Sequence, residues 1–175
     1  MHGGFLSLAL SKYGMRGVSH GVGYGEQKDV VPVIGQSTPT VRYYLPAMAR
    51  RLGVPQVERA FDALGIKTPD DFHKKVCGCA VCKGVVSNSL DEFSAFGDTQ
   101  FSRPSSKRQA QTPAAAKRCR FHFLLSRIQE REDVRNMTPQ QLALRLTETA
   151  ETWGTQPSLA RESNHLEKWV KILVP

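Results

Sequence analysis

Hydrophobic positions in this chain fall into short runs of helical period, separated by polar and glycine-bearing stretches. FLSLALSK predicts a helix through about Lys12, followed by a short strand at Met15 to Ser19 and a turn carrying Gly21, Gly23 and Gly25. Pro46 followed by AMARRL reads as a helix start, and DDFHKKV reads as helical. Thr68-Pro69-Asp70-Asp71 supplies the N-cap and an acidic first turn for that second helix. In FHFLLSRIQEREDV, Phe121, Leu124, Leu125 and Ile128 keep a helical repeat. Thr138-Pro139-Gln140-Gln141 is a capping-box start, with Leu142, Leu146 and Ala150 along one face. Pro157 opens a last helix with Leu159, Leu166, Trp169 and Val170 as its apolar positions. Between these, TQFSRPSSKRQAQTPAAAKR has no hydrophobic period and reads as a flexible excursion over 99–117.

The chain has 175 residues and 40% apolar content, enough for one core of ordinary size. It is too short for a complete eight-fold β/α barrel, which takes roughly 200 to 250 residues or more. No run of 18 or more apolar residues occurs, and the start MHGGFLSLALSKYG lacks a basic n-region and a small-residue cleavage site. The expectation is a cytoplasmic protein with no membrane contact, in which thiols stay reduced.

That setting changes the meaning of KKVCGCAVCKG, where Cys77, Cys79 and Cys82 crowd together in a chain with one further cysteine, Cys119. Cys77 and Cys79 are too close for a relaxed disulfide. A redox C-x-x-C normally opens a helix after a strand, whereas here the preceding residues read as helical. A zinc site accounts for all three thiols, because tetrahedral zinc takes thiolate and imidazole ligands and a tight knuckle presents several sulfurs from one turn. Gly78 would let the backbone turn between the first two. A closed site needs a fourth ligand, and KRCRFHFLL offers Cys119 and His122. Each has a plainer reading, Cys119 as a small buried hydrophobe and His122 as a satisfied core histidine.

The pattern Cys77, Cys79 and Cys82, followed after a loop by His122 leading into HFLLSRIQER, resembles the zinc site near the C-terminus of tRNA-guanine transglycosylases. That family includes relatives that place 7-deazaguanines in DNA. The resemblance covers about residues 5 to 135 and favours His122 as the fourth ligand of a structural Zn2+. It implies an α/β chain: the C-terminal part of a β/α barrel over 1–70, a zinc-binding subdomain over 71–135 with its loop at 99–117, and C-terminal helices over 136–175. It implies exchange of guanine for a 7-deazaguanine base in tRNA or DNA through a covalent glycosyl-aspartate, and a homo- or hetero-oligomer with a barrel-completing subunit. Of the family's base-holding element, G-V-G-Y-G-E offers Gly21, Val22, Gly23 and Glu26. In another alignment, Ser19 or His20 stands where the family has its nucleophilic aspartate. No aspartate is assigned as nucleophile, since Asp29 follows the glycine turn and Asp62, Asp70 and Asp71 lie in helical or capping contexts. The chain departs from the family in the 39 residues between Cys82 and His122, which imply an insertion.

Charge adds an independent line. The net charge is +8 and the pI about 9.6, as in polyanion binders. Between Thr99 and Gln129 the bases Arg103, Lys107, Arg108, Lys117, Arg118, Arg120 and Arg127 meet no acidic residue, which suits sequence-independent phosphate contact. Arg42, Arg50 and Arg51 surround Tyr43 and Tyr44, but paired tyrosines more often pack a core than stack on bases. The competing class is a noncatalytic zinc-bearing accessory subunit that binds nucleic acid. A zinc deaminase is disfavoured because no H-x-E precedes a P-C-x-x-C.

Overall fold

A computed structural model describes residues 4–16, 40–101 and 109–174, which fold mostly as helices with four short strands. The N-terminal helix α1 (Phe5–Ala9) continues into a 3-10 turn, Leu10–Tyr13, so the expected helix through Lys12 is present. It stops at Gly14, whose φ of 88° lies in the left-handed region that glycine adopts without strain. Met15 and Arg16 carry no regular structure, and the rest of the expected strand and the glycine turn lie outside the described residues.

The segment expected to begin a helix at Pro46 is instead the bend of a β-ribbon. Strands β1 (Tyr43–Leu45) and β2 (Arg50–Leu52) pair antiparallel, with Tyr43 opposite Leu52 and Leu45 opposite Arg50. Tyr43, Leu45, Met48 and Leu52 are all within 1% of complete burial, so both strands and the bend between them are anchored in the core. At the bend, the Ala49 amide donates to the Pro46 carbonyl and Ala49 takes φ 50°, unusual for a residue with a side chain.

Short helices α2 (Val54–Glu58), α3 (Pro69–Lys75) and α4 (Ala80–Val85) follow, then a 3-10 stretch over Leu90–Phe96. Thr68 caps α3 as expected: its Oγ accepts from the Asp71 amide at 3.1 Å while Asp71 accepts from the Thr68 amide. Strands β3 (Thr99–Phe101) and β4 (Gln109–Gln111) form a second antiparallel ribbon. The 99–117 stretch expected to be a flexible excursion therefore begins and ends in regular structure, with residues 102–108 outside the described set. Its last part already belongs to α5 (Pro113–Asn136), capped by Thr112. Helices α6 (Pro139–Thr152) and α7 (Ala160–Leu173) pack together; α7 starts at Ala160 rather than Pro157.

Two hydrophobic clusters hold these elements. One gathers Tyr43, Leu45, Met48, Phe72, Phe93 and Phe96 with Cys82 and Cys119, and also takes Trp153 and Leu159 from the C-terminal region. Tyr43 stands edge-on to Phe93 and Phe96 with centroids 4.8 and 5.0 Å away, the arrangement aromatic quadrupoles favour. The other joins Phe5 and Val134 to Leu142, Leu146, Leu166 and Leu173. The fold is mixed α and β, and the described residues form no closed barrel. No helix among them is long and apolar enough to cross a membrane.

Candidate metal centre

The three clustered cysteines sit where α3 ends and α4 begins. Cys77 follows α3, Cys79 is the N-cap of α4, and Cys82 lies within it. The Cys79 sulfur accepts from the Cys82 amide at 3.4 Å, which turns the second cysteine toward the third. Gly78 serves this turn by its size rather than by a left-handed backbone: a β-carbon there would stand 3.2 Å from the His73 carbonyl oxygen.

Opposite the knuckle, α5 presents His122. Its Nδ1 lies 3.8, 3.5 and 3.3 Å from the sulfurs of Cys77, Cys79 and Cys82, and the four donor atoms lie within 4.8 Å of one another. His122 and Cys82 are fully buried, whereas Cys77 and Cys79 are half-buried. The other imidazole nitrogen, Nε2, is 2.6 Å from the Tyr44 carbonyl oxygen. A carbonyl only accepts, so Nε2 carries the proton and Nδ1 is left with a lone pair aimed at the sulfurs. The ring is clamped flat on Tyr43 at 4.3 Å, and the Tyr43 hydroxyl stands 3.5 Å from the Cys82 sulfur.

The four side chains strongly perturb one another. Three thiols cannot all ionise side by side: hydrogen bonds from Cys77 and Cys82 pull the Cys79 pKa down, and bonds with Cys77 and Cys79 push that of Cys82 up. Burial alone would lower the pKa of His122, but hydrogen bonds with Cys77 and Cys79 outweigh it and raise the value to about 9. A metal ion accepting the Nδ1 lone pair and the three sulfurs would satisfy all four donors. Cys77, Cys79, Cys82 and His122 could thus hold a metal ion.

Cys119, the alternative fourth ligand, is elsewhere. Its thiol is buried and donates to the Phe96 carbonyl at 3.3 Å, and burial pushes its pKa up to about 12. His122 lies well inside α5 rather than opening it, and the helix is turned over relative to its apolar pattern. Phe121, Leu124 and Ile128 are exposed, while Cys119, His122, Phe123, Ser126, Arg127 and Glu130 face inward.

That inward polar face makes a network that the sequence did not announce. Glu130, only 2% exposed, accepts from the Tyr44 hydroxyl at 2.5 Å and is paired with the buried Arg127. Tyr44 therefore ties its carbonyl to His122 and its hydroxyl to Glu130, and Tyr43 and Tyr44 pack the core as paired tyrosines usually do. Burial raises the Glu130 pKa, although Arg127 and Tyr44 draw it back. Arg51 covers the Phe123 ring at 4.1 Å. A groove of about 560 Å³ opens beside the knuckle, lined in part by Cys77, Cys79, Ser126, Glu130 and Arg145.

Of the expected phosphate contacts, Lys117, Arg118 and Arg120 lie on α5. Arg118 is engaged, with the Ala95 carbonyl at 2.8 Å and Asp98 at 3.2 Å, while Lys117 and Arg120 are exposed. Arg103, Lys107 and Arg108 lie outside the described residues, as do Gly21, Val22, Gly23 and Glu26 with Ser19, His20 and Asp29. No protein-family model, curated protein or solved structure matches this chain.

Proposed function

We propose that the chain binds one Zn2+ as a structural centre and serves as the zinc-bearing portion of a transglycosylase-like protein that exchanges guanine for a 7-deazaguanine in tRNA or DNA. The observation that carries this reading is the tetrad itself. Zinc bonds of about 2.3 Å to sulfur and 2.0 Å to nitrogen make a tetrahedron whose S···N edges are about 3.5 Å long. The separations of 3.3 to 3.8 Å around His122 Nδ1 fit that tetrahedron. All four corners are protein atoms, so the ion has no open position for substrate or water and acts by holding the knuckle to α5. The four ligands are also the four that the family resemblance selects.

In this reading the base is held by the Gly21 to Glu26 turn and the polynucleotide by Arg103, Lys107, Arg108, Lys117 and Arg120. The nucleophilic aspartate and the missing barrel strands come from a barrel-completing subunit. A hetero-oligomer follows from that need. The test is incorporation of labelled guanine into tRNA or duplex DNA by the chain together with its barrel-bearing partner. The reading requires incorporation that is lost when Cys82→Ser removes the metal, and incorporation indifferent to that variant would overturn it.

One observation favours a second reading, a noncatalytic zinc-bearing subunit that binds nucleic acid. Both carboxylates lining the groove beside the zinc knuckle are engaged: Glu130 with Arg127 and Tyr44, Asp133 with Arg145 at 2.6 Å. Neither is poised as a nucleophile. Salt-sensitive binding of tRNA or DNA without any base exchange would establish this second reading.

A further inference from the structure

Helix α5 turns outward a face for which the described fold has no use. Phe121, Leu124 and Ile128 are 48%, 37% and 55% exposed. Their spacing of three and then four residues places them in one stripe. Lys117 lies one turn before the stripe and Arg120 immediately before it, and Arg131 and Arg135 lie one and two turns after it. At about 100° per residue, all seven side chains fall within roughly a quarter to a third of the helix circumference. That sector contains no acidic residue. Glu132 stands at its edge and pairs with Arg131 at 3.3 Å, and the Lys117 ammonium lies over the Phe121 ring at 5.7 Å. Among the described residues, the side chains of Arg120 and Arg135 make no hydrogen bond or ion pair.

We propose that this face docks an acidic amphipathic helix of a partner protein. Three arguments select that occupant. The apolar centre with helical spacing is the form a helix-on-helix contact takes, since i, i+3 and i+7 anchors interdigitate with those of the facing helix. The cations at both ends demand complementary charge, which gives such a contact its orientation and rate of encounter. A second copy of this chain is disfavoured by the same cations: antiparallel pairing sets Lys117 and Arg120 against Arg131 and Arg135, and parallel pairing sets each against itself. A nucleic-acid strand is disfavoured by Leu124 and Ile128, which offer aliphatic surface to neither a phosphate nor a stacked base. From Lys117 to Arg135 the helix rises about 27 Å, so the partner segment spans roughly 18 residues, with Asp or Glu in both end turns.

The proposal is independent of base exchange, but the partner helix competes with the phosphate contacts proposed above for Lys117 and Arg120, so the two occupants exclude one another at these residues. The test is fluorescence anisotropy with the zinc-loaded full chain. The probe is a labelled 18-residue helical peptide with three leucines at this spacing and glutamates in both end turns. Beside it stand the same peptide with lysines for glutamates and a labelled single-stranded oligonucleotide. Circular dichroism and metal content confirm that Ile128→Ser and Arg135→Glu leave the chain folded, as exposed positions allow. The acidic peptide should bind at least tenfold more tightly than the lysine peptide. Ile128→Ser should weaken it roughly tenfold, the effect of one buried aliphatic side chain, and Arg135→Glu should weaken it as well. Equal binding of the two peptides, or acidic-peptide binding indifferent to Ile128→Ser, would overturn the proposal. So would oligonucleotide binding that Ile128→Ser abolishes, or self-association in sedimentation that the same variant relieves.

Discussion

His122 is held from every side: Nε2 by the Tyr44 carbonyl, its face by Tyr43, and Nδ1 by three sulfurs. Such residue-scale constraints make Tyr44 the joint between the metal site and the buried ion pair below it. Glu130→Ala would leave Arg127 and the Tyr44 hydroxyl without their carboxylate, and breaking a buried pair from one side costs about 3 to 5 kcal/mol. Urea unfolding should show that loss, and a change within about 0.5 kcal/mol, as at an ordinary surface site, would mean the network carries no stability. A second residue-scale expectation concerns Glu92, whose carboxylate accepts from the Asn88 and Ser87 amides and from the Asn88 side chain. Those bonds lower its pKa to about 2. The folded value lies below the unfolded one, so the stabilisation is fully present above about pH 4.3 and is lost as pH falls through the folded pKa. Carboxyl-carbon NMR should find Glu92 still ionised at pH 4, and a midpoint at or above 4 would contradict the bonding described.

At the scale of elements, close approach matters more than propensity. Gly154 sits where α6 hands over to α7, and a β-carbon there would lie 2.5 Å from the Ala150 carbonyl oxygen and 2.7 Å from Ser163 Oγ. Gly154→Ala should push the two helices apart and lower the thermal midpoint by several degrees, about the effect of 1 to 2 kcal/mol in a domain of this size. An unchanged midpoint would mean that the turn can yield.

The helices with Thr-Pro starts at 68 and 138 were legible in the sequence, because cap, proline and first-turn partners are all local. The same signature stands at Thr112-Pro113 and could have placed the start of α5, but the polar composition around it masked the signal. The Pro46 segment misled because its local propensity is helical while the burial of Met48 and Leu52 is set by residues distant in sequence. The α5 stripe misled for a related reason. A periodic apolar face normally points inward, but here the inner face is polar because it supplies the histidine of the candidate metal site and an ion pair. The tetrad was legible because three thiols at this spacing have few other uses; the choice of His122 over Cys119 needed the family resemblance.

For the whole molecule, a metal ion held by the tetrad would tie the α3–α4 knuckle to α5, and both belong to the cluster around Tyr43, Phe93 and Phe96. The second cluster, centred on Leu142, Leu146 and Leu166, contains none of the four ligands. Stripping the metal under reducing conditions should therefore raise hydrogen exchange over 43–96 and in the first half of α5 while leaving α6 and α7 protected. Uniform exchange with and without metal would show that the tetrad does not support the core.

The most direct measurement is metal content by mass spectrometry of the chain purified under reducing conditions with zinc supplied. Wild type would be compared with Cys119→Ser, Cys82→Ser and His122→Ala. One zinc per chain in wild type and Cys119→Ser, with loss in the other two, is the predicted result. A wild type without zinc, or zinc that survives His122→Ala and leaves with Cys119→Ser, would contradict the four-ligand centre on which this account rests.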